Sequence, residues 1–186
     1  MLARLLTEGL ALARGWRCRF WARLRGYRFE CGRDLRVYGR LSFYGPGRVI
    51  FGDHVRVGMT VTPWTYDRDA VISVGSHSFI NGTRFACASA ILIGDRAILA
   101  DARIMDTDFH SLAIDRHRDG AHVRVERVVL GENVWVAAAV GVLPGTTIGD
   151  NSVVGFGAVC SGPYPANALI LGNPARMIRS LSEAGL

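Results

Sequence analysis

The feature that most constrains the fold of this chain is an apolar residue that recurs at every sixth position. From residue 130 onward the repeat is regular, and its members are aliphatic or small: Leu130, Val136, Val142, Ile148, Val154 and Cys160. The residues four places after these are small or β-branched until the last: Val134, Val140, Thr146, Ser152, Ala158 and Tyr164. A period of six matches neither the 3.6-residue period of a helix nor a simple hairpin meander. It predicts a short strand and a tight turn, repeated three times in each coil of about eighteen residues.

The same repeat occurs earlier in the chain, with a slip of one residue at 90–92. Its members there are Val74, Ile80, Ala86, Ile93, Leu99 and Met105. One coil cannot bury its own apolar face, so neighbouring coils must stack to form a core. An all-β sandwich is the alternative, but its strands recur at about 8–12 residues with variable loops. The repeat therefore predicts an all-β protein in which residues 31–186 form a parallel β-helix.

The charge of the chain is concentrated near its N-terminus. Residues 1–40 hold ten arginines and three acidic residues, and the rest holds twelve arginines and thirteen acidic residues, for a net charge of +6. Nucleic-acid binding would need a basic face on the folded body, so we expect no nucleic-acid partner. The cysteines show neither metal-binding nor disulfide spacing, and we predict that they are small apolar residues. They are Cys18, Cys31, Cys87 and Cys160.

Residues 1–30 are predicted to form a basic amphipathic helix. Their apolar residues recur at helical spacing: Leu2, Leu5, Leu6, Leu10, Ala13, Trp16, Phe20 and Leu24. Such a helix can cap the first coil of the β-helix or lie on an anionic membrane, and both alternatives are open. Glu8 and Arg14 interrupt the apolar stretch, and no apolar run approaches the roughly 20 residues that span a bilayer. We therefore expect a cytoplasmic protein, with the inner face of the membrane as an alternative location.

Three motifs in the second half of the chain carry a resemblance to a known family. They are Gly-Asp-Asn, Leu-Pro-Gly-Thr-Thr-Ile-Gly-Asp at 143–150 and Gly-Asn-Pro-Ala-Arg-Met-Ile-Arg at 172–179. Over about residues 50–180 the chain resembles the hexapeptide-repeat acyltransferases, in the branch of maltose, galactoside and exopolysaccharide O-acetyltransferases. The resemblance implies a left-handed β-helix, a homotrimer with active sites between subunits, and acetyl-CoA as co-substrate with no metal. It further implies acetyl transfer to a carbohydrate hydroxyl in surface polysaccharide biosynthesis.

The repeat stops at 106–127, where the sequence becomes polar. A polar excursion from a rigid scaffold usually marks a binding or catalytic loop. Within it, His110 follows directly on the last regular coil, and an imidazole suits the task of deprotonating a sugar hydroxyl. The Asp-Phe-His-Ser-Leu segment resembles the catalytic-histidine loop of the family, which implies that His110 is the general base. Asp106 or Asp108 is expected to orient the imidazole, and the sequence does not separate the two.

The resemblance also implies that Asn81, Asp108 and Arg116 bind the acceptor. Asn81 occupies a place in the repeat where glycine is commonest. It is therefore either a left-handed corner residue or, as in the family, a hydrogen-bond partner of the acceptor sugar. His54 and His77 both lie three places after the start of a repeat, and we predict that they are exposed turn residues.

The donor site is implied by the same resemblance: Trp135, Ala138, Gly155, Phe156, Ser161, Arg176 and Arg179. Arg176 and Arg179 are expected to meet the phosphates of coenzyme A, because guanidinium groups pair well with phosphate. The alternative for both is ordinary surface charge on a short C-terminal helix. Trp135 is expected either near the donor or at the subunit interface.

Two alternatives to a transferase follow from the same residues. Three residues depart from the family pattern. Phe156 introduces a bulky ring, Ala137 stands in place of a glycine, and Gly162 stands in place of a cation. These departures leave open a trimeric β-helix scaffold without catalysis. The second alternative is a β-helix zinc carbonic anhydrase, because His117 and His122 have a His-x4-His spacing and His77 is a conceivable third ligand.

Overall fold

The computed structural model describes residues 2–181, in which one helix, α1 (Leu2–Leu24), precedes a succession of short strands. The strands before the polar excursion are β1 (Arg28–Cys31), β2 (Arg36–Val37), β3 (Arg40–Leu41), β4 (Arg48–Phe51), β5 (Arg56–Val57), β6 (Thr60–Thr65), β7 (Val71–Val74), β8 (Phe79–Asn81), β9 (Arg84–Cys87), β10 (Ala90–Ile93), β11 (Ile98–Ala100) and β12 (Arg103–Met105). Those after it are β13 (Val128–Leu130), β14 (Trp135–Val136), β15 (Gly141–Val142), β16 (Thr147–Ile148), β17 (Val153–Val154), β18 (Val159–Cys160), β19 (Pro163–Tyr164), β20 (Ala168–Leu171) and β21 (Arg176–Ser180).

The strands form three sheets, and each coil adds one strand to each sheet in turn. The first sheet runs β1-β4-β7-β10-β13-β16-β19, and the second runs β2-β5-β8-β11-β14-β17-β20-β21. The third runs β3-β6-β9-β12-β15-β18. Strands of successive coils pair in parallel, as β4 with β7 and β11 with β14. The parallel β-helix predicted from the repeat is confirmed.

The coils turn at three edges of the β-helix. We call the edge between the first and second sheets the first edge, that between the second and third sheets the second edge, and that between the third and first sheets the third edge. At the first edge one residue of each coil has a left-handed φ: Asp34, His54, His77, Arg96, Asn133, Asn151 and Asn167. The rings of His54 and His77 stack with centroids 4.9 Å apart. The prediction that both are turn residues is confirmed.

The core consists of the repeat residues. All twelve positions of the regular repeat after residue 127 are buried. In the earlier coils, however, the assignment of Ala86 and Met105 to the core is wrong, because Phe85 and Ile104 are the buried residues. The register explains the difference: Ile104 pairs with Phe85 on one side and with the buried Val142 on the other. Neighbouring residues of a strand point to opposite faces, so a shift of one residue exchanges inside and outside.

The N-terminal helix lies against β1 and β2 of the first coil. Its inward face consists of small residues, three buried and one half-buried: Ala11, Gly15, Ala22 and Cys18. A Cβ at Gly15 would lie 2.0 Å from the carbonyl oxygen of Leu35, so the close approach requires glycine. The hydroxyl of Tyr38 donates to Oε2 of Glu8 at 2.7 Å, and Arg36 pairs with the same carboxylate. These hydrogen bonds lower the pKa of Glu8 and attach the helix to the β-helix.

The large apolar residues of the helix face away from the β-helix. They are exposed: Leu5, Leu6, Leu10, Trp16, Phe20 and Leu24. The side chain of Leu2 lies outside the described part of the chain. The first coil is therefore covered by the helix face that carries the small residues. The large apolar residues, whose spacing predicted the helix, form an exposed stripe on the outward face. Within residues 2–181, no helix has both the length and the apolar character needed to cross a bilayer.

The β-helix ends in a hairpin. β21 pairs antiparallel with β20 and carries Arg176 and Arg179, so the prediction of a short C-terminal helix is wrong for this segment. Gly172 has a φ of 98°, which lets the chain reverse after β20. The returning strand then satisfies the backbone of an edge that would otherwise be unpaired.

The cysteines are free thiols inside or beside the core. Cys87 and Cys160 are buried, and Cys18 and Cys31 are half-buried. Burial raises the pKa of Cys87, and it raises the pKa of Cys160 to about 11. The two buried thiols are therefore protonated at neutral pH and act as small apolar residues, as predicted.

Candidate functional site

The polar excursion, residues 106–127, leaves the β-helix at the third edge between β12 and β13. Its two ends are joined by backbone hydrogen bonds. The N–H of Asp108 donates to the carbonyl of Arg124 at 3.2 Å, and the N–H of Glu126 donates to the carbonyl of Asp106 at 2.8 Å. The start of the loop is thus held in a fixed position on the scaffold.

Asp106 fastens this loop to the preceding coil. Its buried carboxylate accepts the backbone N–H groups of Ala88 and Ser89, each at 2.7 Å. The thiol of Cys87 donates to the same carboxylate at 3.4 Å. Both oxygens are therefore used within the scaffold, and the expectation that Asp106 orients the ring of His110 loses its support.

His110 lies on the surface at the beginning of the loop. The backbone N–H of His110 donates to the carbonyl of Asp108 at 2.7 Å. The preceding Phe109 has a φ of 62°, which is rare for a bulky residue. Within residues 2–181 the imidazole has no hydrogen-bond partner, so its nitrogens are available to a substrate. The ring borders a cavity of about 460 Å³ that is lined by Tyr66, Ala88, Thr107, Phe109 and His110.

Asp108 carries an unsatisfied oxygen close to His110. Its Oδ2 is buried and has no hydrogen-bond partner in the described part of the chain. Buried carboxylate oxygens are ordinarily hydrogen-bonded, because leaving one without a donor costs free energy. Its hydrogen-bond donor therefore has to come from outside the described part of the chain.

The other two predicted acceptor residues lie apart from this cavity. Asn81 ends β8 at the second edge, where Gly82 takes the left-handed φ of 66°, so the corner alternative for Asn81 is wrong. Its Oδ1 accepts the N–H of Met59 at 2.8 Å. Arg116 lies on the exposed part of the excursion loop, and its Nε donates to the carbonyl of Ala113 at 3.3 Å.

Three of the predicted donor residues meet at the second edge. The N–H of Gly157 donates to the carbonyl of Ala138 at 3.1 Å, and this hydrogen bond joins the turns of two successive coils. A Cβ on Gly155 would lie 2.1 Å from Cδ2 of Leu171, so this position is closely packed. Phe156 follows Gly155 at this edge, and 78% of its surface is exposed.

The remaining predicted donor residues lie on other surfaces. Trp135 is exposed on the outward face of the second sheet, and Ser161 is exposed at the third edge. Arg176 and Arg179 are exposed on β21 and pair with no carboxylate within residues 2–181. Arg176 pairs in register with Leu171, so β21 begins close to the second edge.

The predicted site residues are thus divided between two edges of the third sheet. His110 and Asp108 lie at the third edge, whereas Asn81 and Phe156 lie at the second edge. One chain brings the proposed base together with Asp108, and of the predicted donor residues only Ser161 lies at the same edge as the base.

The aromatic residues beside His110 were not predicted from the sequence. Tyr66 and Phe109 line its cavity with ring centroids 5.1 Å apart, and Trp64 stacks on Tyr66 at 5.8 Å. A signal was present, because Trp64 and Tyr66 are two residues apart and therefore share the outward face of one strand. Two exposed aromatic rings on one face are typical of a binding surface.

The histidines of the zinc alternative do not come together. His77 lies at the first edge, whereas His117 and His122 belong to the loop that leaves the third edge. Within residues 2–181, no three His, Cys, Asp or Glu side chains are placed to hold a metal ion. One chain alone therefore does not bring these three histidines together.

A family model described as bacterial transferase hexapeptide (six repeats) matches residues 127–162, the most regular coils of the β-helix. Residues 127–162 therefore match the hexapeptide repeat of bacterial transferases. The match contains every residue of the regular repeat except Tyr164, and it ends at Gly162, beside the predicted donor residue Ser161.

The chain is similar to acetyltransferases over part of its length. It is 31% identical over 93 residues to the galactoside O-acetyltransferase of Escherichia coli, covering 50% of this chain and 45% of that protein. It is 29% identical over 160 residues to an Escherichia coli protein provisionally named colanic acid biosynthesis acetyltransferase WcaF, covering 86% of this chain and 74% of the relative. For several of the curated relatives the chain spans only about half to three fifths of their length.

A solved structure shares the fold. A hexapeptide-repeat acetyltransferase of Vibrio cholerae, in complex with acetyl-CoA, superposes with a TM-score of 0.61 at 23% identity. The superposition covers 95% of this chain and 86% of that chain. At this identity the likeness establishes the shared β-helix fold of the hexapeptide-repeat proteins.

Proposed function

We propose that this protein transfers an acetyl group from acetyl-CoA to a sugar hydroxyl, with His110 as the general base. The observation that carries the proposal is the unbonded imidazole of His110, which borders a cavity at the fixed start of the excursion loop. The similarity to a galactoside O-acetyltransferase supports this reaction class. The similarity to WcaF, which is named for colanic acid biosynthesis, supports an acceptor from surface polysaccharide biosynthesis. The proposed location is the cytoplasm or the inner face of the membrane.

The reaction follows from the chemistry of the imidazole. His110 takes the proton of the acceptor hydroxyl while that oxygen forms a bond to the carbonyl carbon of the thioester. The tetrahedral oxyanion that results is stabilised by a backbone N–H. The carbon–sulfur bond then breaks, and the imidazolium returns its proton to the leaving thiolate. The products are the acetylated sugar and free coenzyme A, and His110 is neutral again.

The acceptor is held by side chains around this imidazole. Asp108 accepts a hydrogen bond from a second sugar hydroxyl through its buried, unsatisfied Oδ2. Arg116 contacts the acceptor from the exposed part of the loop. Asn81 contributes from a neighbouring subunit, because in its own chain it lies at another edge of the β-helix.

The donor is held at the second edge and by the terminal hairpin. Arg176 and Arg179 have no carboxylate partner among the described residues, so both guanidinium groups are free to bind the phosphates of coenzyme A. The remaining donor contacts come from the second edge, the second sheet and the third edge: Ala138, Gly155, Phe156, Trp135 and Ser161. The exposed ring of Phe156 packs against the pantetheine arm.

The complete site requires a homotrimer. The base lies at the third edge, whereas the donor residues Ala138, Gly155 and Phe156 of the same chain lie at the second edge. A threefold arrangement can place the second edge of one subunit beside the third edge of the next. The excursion loop supports this arrangement, because Leu112 is 80% exposed and Ile114 is 100% exposed. Apolar side chains that extend so far into solvent are typical of residues that pack on a neighbouring subunit.

The protein also contacts an anionic membrane surface through α1. The small inward face of the helix is already packed on the first coil, and its outward face presents the exposed stripe with Leu6 and Phe20. Exposed arginines flank this stripe, among them Arg4, Arg19 and Arg23. A helix that combines an apolar face with flanking cations lies in the interface of an anionic bilayer.

An acetyl-transfer assay on the full chain tests the proposed function. Acetyl-CoA is supplied with a panel of mono- and oligosaccharides, and both thiol release and the acetylated glycan are measured. We expect glycan-dependent release of coenzyme A that saturates with acetyl-CoA. If calorimetry detects no binding of coenzyme A at millimolar concentration, the protein is a β-helix scaffold whose donor groove is blocked by Phe156.

A further inference from the structure

A cleft of about 440 Å³ separates α1 from the first coil of the β-helix. Four arginines line it from both sides: Arg14, Arg17, Arg25 and Arg40. Arg14 donates to the carbonyl oxygen of Tyr38 at 2.7 Å, and the guanidinium of Arg25 lies 5.7 Å from the ring centroid of Trp21. Within residues 2–181, none of the four forms an ion pair with a carboxylate.

The charge of this cleft is suited to an anion. The four exposed arginines line one cleft without a carboxylate partner among the described residues, and a bound anion relieves the repulsion between their charges. Glu8, the acidic residue of α1, is already bound by Tyr38 and Arg36. Guanidinium groups bind phosphate through parallel N–H donors, so a phosphate or pyrophosphate group matches the cleft best.

A row of aromatic side chains connects this cleft with the proposed base. Tyr44 lines the cleft and stacks on Trp64, with ring centroids 4.9 Å apart. Trp64 stacks on Tyr66 at 5.8 Å, and Tyr66 meets Phe109 edge-on at 5.1 Å. His110 follows Phe109 in the chain and shares its cavity.

The row is a surface suited to sugars. All four rings are substantially exposed, and they cross successive coils close to the third edge. Sugar rings present C–H groups on their faces, and these pack favourably on the electron-rich faces and edges of aromatic rings. A continuous row of four rings offers contacts to several consecutive sugar units.

We propose that the cleft and the row form one track for a glycan that carries a phosphate group. The phosphate binds among the four arginines, the sugar units lie along the aromatic row, and one hydroxyl reaches His110. Only this last placement rests on the proposed acetyl transfer. Because α1 forms one wall of the cleft and presents an apolar outward face, a glycan whose phosphate is attached to a membrane lipid can enter the track from the bilayer.

Calorimetric titration with inorganic pyrophosphate tests the cleft. The wild-type chain is compared with Arg17→Gln/Arg40→Gln and with the charge-matched control Arg68→Gln/Arg118→Gln, whose residues are exposed outside the cleft. We expect saturable binding that is at least about tenfold weaker in the cleft variant and unchanged in the control. Equal binding by the two variants, or no saturable binding of pyrophosphate by the wild-type chain, overturns the phosphate-glycan assignment.

A microbial glycan array, probed without acetyl-CoA, tests the aromatic row. We expect the wild type to retain oligosaccharides more strongly than the corresponding monosaccharides. Trp64→Ala should lose this length dependence, whereas Phe79→Ala, which removes an exposed ring from the second sheet, should keep it. No glycan retained by the wild type, or the same pattern for both variants, overturns the track. Because no acyl donor is present, the result is independent of whether acetyl transfer is confirmed.

Discussion

The carboxylate of Asp106 accepts the backbone N–H of Ala88 at 2.7 Å, and this bond ties the start of the excursion loop to the coil that precedes it. We expect Asp106→Ala to remove a buried carboxylate that holds two backbone N–H groups and to lower the free energy of unfolding by about 2–4 kcal/mol. Urea denaturation measures the change. Asp119→Ala, which removes an exposed carboxylate, is the matched control and should lie close to wild type. Equal midpoints for the two variants would show that Asp106 has no such structural role.

We expect Asp108 to contribute to acceptor binding and not to the stability of the fold. Its buried Oδ2 has no partner within residues 2–181, so Asp108→Asn should raise the KM for the acceptor by about tenfold with little change in stability. Steady-state kinetics with variable acceptor and saturating acetyl-CoA measure this. A fall in kcat at unchanged KM would contradict acceptor binding and would indicate that Asp108 orients His110.

The outward face of α1 is expected to bind anionic vesicles. Leu6→Ser/Phe20→Ser removes two large apolar side chains from this face and should weaken binding to phosphatidylglycerol vesicles by at least about tenfold. Met59→Ser/Phe79→Ser, which removes comparable exposed side chains from the β-helix, should bind as wild type does. Vesicle sedimentation at low and high salt provides the measurement, and the arginines predict weaker binding at high salt. Absence of vesicle binding by the wild-type chain would assign the stripe to another partner.

The trimer is expected to depend on the tip of the excursion loop. Ile114 is fully exposed in the single chain, so Ile114→Asp places a charge in the proposed subunit contact and should shift the assembly toward monomer. Arg118→Ala, an exposed change on the same loop, should leave the trimer intact. Sedimentation velocity distinguishes the two outcomes. A trimeric Ile114→Asp variant would show that the loop tip does not form the contact.

The fold could be predicted from the sequence because burial imposes a period. Apolar residues such as Val136 and Val142 recur at every sixth position and are fully buried. Their spacing therefore follows from the length of one side of the coil. The prediction failed at Ala86, where the buried residue is Phe85, because the turn after β8 is one residue shorter than the regular repeat. Apolar residues stand at both positions, so the pattern alone could not choose between them.

The candidate site could be predicted only in part. His110 could be predicted because the polar segment that contains it interrupts the six-residue apolar repeat, and such an interruption is visible in the sequence. The roles of Asp106 and Asp108 depend on which carboxylate reaches the backbone of the preceding coil, and this is a property of the folded chain. The division of the site between two edges likewise follows from how the coils stack.

The most direct test of the account is the turnover of His110 variants. In His110→Ala and His110→Gln, acetyl transfer from acetyl-CoA to the acceptor should fall by at least about a hundredfold, because the base that takes the hydroxyl proton is lost. Coenzyme A affinity and the circular dichroism spectrum should not change, since the ring has no hydrogen bond within residues 2–181. A hundredfold loss with intact donor binding is the predicted result. Turnover close to wild type in either variant would contradict the assignment of His110 as the general base.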